Sequence, residues 1–182
     1  METPHSKLVN FRLSKYLILF FIVVGLFLRL YKLGLVPTGL VRDEVSSGYN
    51  SWLVSKTGKD EWGEKLPLHF RAFGEWKLPG HLYLQIPFVR LFGLNGVGIR
   101  MLSALAGIGS VFCWYLIWSE KENKLTGAIG SLFLLFSFWI FPIIRIGFQP
   151  NLAVFFFLLG WMLWVKKKYY WSTFAFLGAV YT

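Results

Sequence analysis

The chain alternates long apolar runs with short charged stretches, and one polar segment is far longer than the rest. The apolar runs cover about residues 16–35, 97–118, 126–142 and 151–165, and a fifth begins near 169. Such runs predict helices that cross a bilayer. The polar segment, 37–96, opens at Pro37-Thr38-Gly39, which ends the first helix. Within it Val45, Tyr49, Trp52 and Leu53 recur at helical spacing. This stripe is too short and too polar to span, so it predicts a helix over 44–56 lying in the membrane interface and stopped by Gly58. Residues 59–76 are charged and predict irregular structure. Residues 80–93 are apolar but contain Pro87 and Arg90. A helix of that length reaches roughly 21 Å, short of the ~30 Å hydrocarbon core. It therefore predicts a second interfacial or re-entrant segment, with Pro79 in its first turn. The expected fold is an all-α integral membrane protein, a polytopic helical bundle whose first exoplasmic loop carries interfacial amphipathic helices. On this reading residues 1–182 form the N-terminal part of one polytopic membrane domain, and the last helix, 169–182, is cut short.

Composition agrees with this pattern. The chain is 55% hydrophobic and 20% aromatic, with a mean hydropathy of +0.54, which excludes an ordinary soluble domain. Its formal charge of +10 does not point to nucleic acid. The lysines and arginines flank apolar runs instead of gathering on one surface, as expected of orientation signals and contacts with membrane lipid. Lys7, Arg12 and Lys15 precede a run longer than a signal-peptide core, and no small-x-small cleavage site follows it. The run reads as a retained first helix with a cytoplasmic N-terminus. Arg29 and Lys32, near its far end, are expected to snorkel to the outer headgroups. If 80–93 does not cross, Lys121, Lys124 and the Lys166–Lys168 cluster are also cytoplasmic, as the positive-inside rule favours. The 37–96 loop and the 143–150 turn then share the exoplasmic side of what is expected to be a prokaryotic cell membrane. Cys113 has no partner and reads as a small buried residue.

Charge also confines the chemistry. Six of the nine acidic residues, Asp43, Glu44, Asp60, Glu61, Glu64 and Glu75, lie in the polar loop, and none follows Glu122. Asp43 and Glu44 sit just beyond the first span. A carboxylate there can act as a general base, or Asp43 can cap the helix that follows. Lys77, between Trp76 and Pro79, can neutralise a lipid-linked phosphate or anchor a helix start. Arg100 and Arg145 have the same two readings. Glu75 and His81, with His69, are the candidate ligands for a divalent metal ion, though without the tight spacing of a metal site. There is no phosphate-cradling glycine loop, no Ser/His/Asp pattern and no cysteine cluster. A rival reading is a non-catalytic polytopic membrane protein, either a scaffold or a transporter segment. A transporter calls for ionisable groups within spans, and the mid-span positions here lack Asp, Glu and His.

The order of these residues resembles a known family. Leu28-Arg29-Leu30-Tyr31 closes the first span, and Arg42-Asp43-Glu44 follows, with Tyr49 downstream. Lys77-Leu78-Pro79 precedes Tyr83, Phe92-Gly93-Leu94-Asn95 ends the interfacial segment, and Arg100-Met101-Leu102-Ser103-Ala104-Leu105-Ala106-Gly107 opens the next helix. Over roughly residues 16–165 this is similar to the N-terminal part of the C-type membrane glycosyltransferases. The nearest group holds the protein O-mannosyltransferases and the bacterial aminoarabinose transferase that modifies lipid A. The resemblance implies transfer of a sugar from a polyprenyl-phosphate donor to a hydroxyl of a protein, lipid or glycan acceptor on the exoplasmic side. It implies Asp43 as the catalytic acid with Glu44 beside it, and Lys77 near the carrier phosphate. Arg100, Arg145 and Tyr49 join Lys77 as substrate-binding candidates. Leu78 departs from the family's Lys-Pro-Pro pattern, and Gln149 stands in a turn where many relatives carry an acid.

Overall fold

The computed structural model describes residues 4–182, with side chains from Tyr16 onward except Leu17. Lys7, Arg12 and Lys15, which carry the N-terminal orientation argument, lie outside the residues whose side chains are described. The described residues are mostly helical, with eight helices and one two-stranded hairpin. In chain order these are α1 (Pro4–Leu30), α2 (Arg42–Thr57), β1 (Phe70–Ala72), β2 (Glu75–Lys77), α3 (Pro79–Phe92) and α4 (Gly96–Lys121). There follow α5 (Lys124–Phe136), α6 (Ile140–Ile144), α7 (Gln149–Val165) and α8 (Tyr169–Val180).

The molecule is built around α4. Asn95 starts it, its side-chain oxygen accepting from the N–H groups of Val97 at 2.9 Å and Gly98 at 3.1 Å, as an N-cap does. Helices α3, α5 and α7 pack along α4, and α1, α2 and α6 touch it. Two glycines set how close they come. A Cβ on Gly109 would stand 2.5 Å from the Phe155 ring of α7, and one on Gly48 of α2 would stand 2.6 Å from Ile99. Helix α8 folds back on α7, where the Ser172 hydroxyl donates to the Gly160 carbonyl at 2.8 Å. The C-terminal ends of α1 and α6 and the N-terminal ends of α2, α4 and α7 meet at one end of the molecule.

Among the described residues, α4 is the one helix long and apolar enough to cross a membrane, with 26 residues and a mean hydropathy of 1.7 over its most apolar window. The apolar stretches Ile18–Leu30, α5 and α7 are shorter. The expected span 126–142 is broken: α5 stops at Phe136, residues 137–139 leave the helix, and α6 carries Pro142. A proline ring clashes with the carbonyl four residues earlier in a continuous helix. That residue is Phe138, inside the break. Helix α1 ends at Leu30 instead of continuing to 35.

The break also corrects Arg29. Its side chain is fully buried and does not reach a headgroup. Interruption of α5 leaves the Leu134 carbonyl without its helical donor, since the residue four places on is Phe138. The Arg29 guanidinium donates to that oxygen at 2.9 Å.

One further expectation about the polar loop changes. Residues 59–76 are not irregular throughout, because β1 and β2 form an antiparallel hairpin with Phe70 opposite Lys77. Its two turn residues, Phe73 (φ 51°) and Gly74 (φ 89°), both lie in the left-handed region, as the tightest hairpin turns require. Helix α2 does form across the expected segment, with Glu44, Ser46, Ser47, Gly48, Asn50 and Ser51 packed inward and Val45 and Tyr49 of the apolar stripe turned outward.

Candidate functional site

The first turn of α2 separates the two adjacent acids. Arg42 opens the helix, so Glu44 is its third residue, and its Oε2 reaches back to accept the Val41 N–H at 2.9 Å. Glu44, not Asp43, therefore satisfies the open helix end. Asp43 is left to face outward, where its Oδ1 accepts from Lys77 Nζ at 2.8 Å. Thirty-four positions of sequence separate this pair, and the hairpin brings it together. Lys77 is the last residue of β2, and its place opposite Phe70 fixes the start of its side chain. The two partners differ in surroundings: the Lys77 side chain is 10% exposed and that of Asp43 is 51% exposed.

Glu44 has no free oxygen. Besides Val41, its Oε1 accepts from Arg100 Nε at 2.8 Å and from the Gly147 N–H at 2.7 Å, and its Oε2 accepts from Arg100 Nη2 at 3.2 Å. Burial alone would raise this carboxyl's pKa. The Arg100 guanidinium and the Gly147 and Val41 N–H groups outweigh that and hold it below the ordinary carboxylate value. Arg100, also fully buried, spends its remaining donors on the carbonyls of Leu33 (3.1 Å), Pro37 (2.9 Å) and Gly39. The structure thus corrects two expectations. Glu44 is a fastener, not an acid open to substrate, and Arg100 has no donor left for a phosphate.

Arg145 is corrected as well, because it is buried and turned onto backbone carbonyls. Its guanidinium donates to the carbonyls of Leu28, Tyr31 (2.7 Å) and Val36 (3.0 Å). It closes the C-terminal end of α1, whose last carbonyls have no helical donors. Burial, then the nearby Arg100 charge, lowers its pKa from the ordinary guanidinium value.

A cleft of about 220 Å³ lies where the hairpin, the start of α2 and the 147–150 turn converge. It is lined by Asp43, Ser47, Glu75, Trp76 and Lys77 and by Gly147 to Pro150. The Gly147 N–H bond to Glu44 ties that turn to α2. Tyr49 does not line this cleft; its ring stacks on Trp52 with centroids 6.3 Å apart. A larger hollow of about 350 Å³ between α4 and α5, walled by Trp114, Trp118, Ile129 and Phe133, carries no ionisable side chain. Of the two, the smaller one carries the ionisable side chains.

The expected metal ligands do not converge. His69 and Glu75 are exposed, and His81 is fully buried with neither ring nitrogen bonded. Among the described residues no three His, Cys, Asp or Glu side chains are placed to hold a metal ion, so the residues do not fit one. Burial, then the Lys77 charge, pushes the His81 pKa down to about 4. Sequence reasoning missed the Glu44–Arg100–Gly147 fastening, because nothing in the spacing links three positions on three elements. The signal that was available is the acid at the third position of a helix with an apolar N-cap.

No family model, no curated protein and no solved structure matches this chain.

Proposed function

We propose that the chain belongs to a polytopic membrane enzyme that moves a sugar from a polyprenyl-phosphate donor to an acceptor hydroxyl on the exoplasmic side. The observation that carries this reading is the meeting of Asp43 and Lys77 at the mouth of a cleft, a half-exposed carboxylate against a lysine sunk in the wall. An exposed ion pair is worth about 0–1 kcal/mol, so an incoming phosphate can take the lysine and free the carboxylate. Asp43 then accepts the proton of the acceptor hydroxyl as its oxygen bonds to the anomeric carbon. The bond from that carbon to the phosphate oxygen breaks, and Lys77 stabilises the departing polyprenyl phosphate.

The membrane part of the proposal rests on which faces are exposed. Phe133, Phe138, Trp139, Trp171 and Phe174 are exposed together with much of α1, and α2 turns its apolar stripe outward. Apolar exposure on this scale is foreign to a soluble monomer and fits lipid contact. The ends of α1, α4, α6 and α7 that meet at the cleft fit a chain running out, in, out and in, with α3 remaining on the outer side. Supplied with a radiolabelled polyprenyl-phosphate sugar, the full-length protein is expected to transfer label to an acceptor. The Asp43→Asn variant, inserted to the same level, is expected to lose about 10²–10⁴-fold in rate. Near-normal turnover by that variant would remove Asp43 as the base.

A further inference from the structure

Gln149 is the one cleft residue with a buried side-chain donor left without a partner: it opens α7 and lines the cleft together with Lys77, and its Nε2 is hydrogen-bonded to nothing. A buried donor without a partner is costly and rare in a settled fold. Its neighbours have all found partners. The Gly147 N–H goes to Glu44 at 2.7 Å, and the Phe148 N–H goes to the Ser103 hydroxyl at 3.1 Å. The Asn151 amide is shared among Ser103, Ile143 and Ile146. The whole turn is thus pinned, and Gln149 alone is held at the cleft with a donor to offer.

We propose that the Gln149 amide is the second phosphate-binding group of the cleft, donating to a non-bridging oxygen of the polyprenyl phosphate alongside Lys77. The inference rests on the function proposed above and adds to it the residue that positions the donor's head group. Two features agree. The terminal torsion of a glutamine is broad and roughly two-fold, so rotation about it lets the amide present its donor to the cleft. The volume of about 220 Å³ is below the roughly 300–1,000 Å³ of sites that enclose drug-sized ligands. The cleft therefore takes a phosphate and the adjoining ring, while the polyprenyl tail lies along the apolar helices. Asp43 and Glu75 also line it, so a phosphate that takes Lys77 still faces two carboxylates and gains from a second donor.

The test compares full-length wild type with Gln149→Leu and Gln149→Glu, reading the KM for the polyprenyl-phosphate sugar, kcat, and inhibition by sugar-free polyprenyl phosphate. Melting temperature is followed in parallel. The expected result is a rise of about tenfold in both KM and the inhibition constant for Gln149→Leu, with kcat and melting temperature near wild type. Gln149→Glu, which keeps the shape but exchanges the donor for a charge, is expected to weaken binding further. A higher KM with unchanged inhibition by polyprenyl phosphate would place Gln149 on the sugar and overturn the assignment. Wild-type constants in both variants would overturn it too, with the function itself intact. A wild-type protein that neither binds polyprenyl phosphate nor transfers sugar would take both down.

Discussion

At the scale of single residues, two adjacent carboxylates have opposite fates because of one helical turn. Glu44, at the third helical position, folds back into the molecule, while Asp43 points toward the hairpin and Lys77. Sequence made both acids visible, together with Lys77, but it offered Asp43 as the cap. The reason is physical: Val41, the residue at the cap position, has no side-chain acceptor, and Glu44, three positions on, supplies one. Arg29, Arg100 and Arg145 were legible as charges near helix ends. Their partners are backbone carbonyls exposed by a helix end or a break, which no pattern of side chains records. His81 gives a pH prediction at this scale. Its folded pKa of about 4 lies below the ordinary 6.5, so between those values the unfolded chain binds more protons and stability rises with pH. The stabilisation is fully present above about 6.5 and is lost as pH falls toward 4, by about 3 kcal/mol across the window. Melting curves from pH 7.5 to 4 should show that fall, and His81→Leu should flatten it. An unchanged slope in the variant would contradict the assignment.

At the scale of elements, continuous apolar runs gave good helices where nothing interrupted them. Helix α4, helix α7 and the Pro79 start of α3 match the pattern, and Gly58 stops α2 in the left-handed conformation (φ 71°) that glycine accepts readily. The failure over 126–142 has a cause: hydropathy runs unbroken through Phe138 and Trp139, and the proline that forces the break lies after it. The hairpin escaped notice because one of its two left-handed turn positions holds Phe73 instead of Asn or Asp. What joins these elements is the buried Glu44–Arg100 pair, which ties α2 and α4 to the 147–150 turn. Glu44→Ala strands the Arg100 charge, and removal of one partner from a buried pair costs about 3–5 kcal/mol. A large drop in melting temperature is expected, with Arg100→Met comparable. The double variant Glu44→Leu/Arg100→Met should be less damaging than the sum of the two. Strict additivity would mean that the two side chains do not act as a pair.

At the scale of the whole molecule, the account stands on the orientation of the cleft. The end where α1, α4, α6 and α7 meet carries the acidic loop, and the opposite ends carry Lys121, Lys124 and the Lys166–Lys168 cluster. Charge placement alone made this separation of acidic loop and lysines legible. The direct measurement is labelling of single cysteines by a membrane-impermeant maleimide in intact cells, in a Cys113→Ser background. Leu68→Cys lies on the exposed segment before the hairpin, and Glu122→Cys lies in the exposed linker between α4 and α5. Position 68 is expected to be labelled from outside and position 122 only after the membrane is opened. Labelling of 122 from outside, or protection of 68, would place the cleft in the cytosol and contradict this orientation.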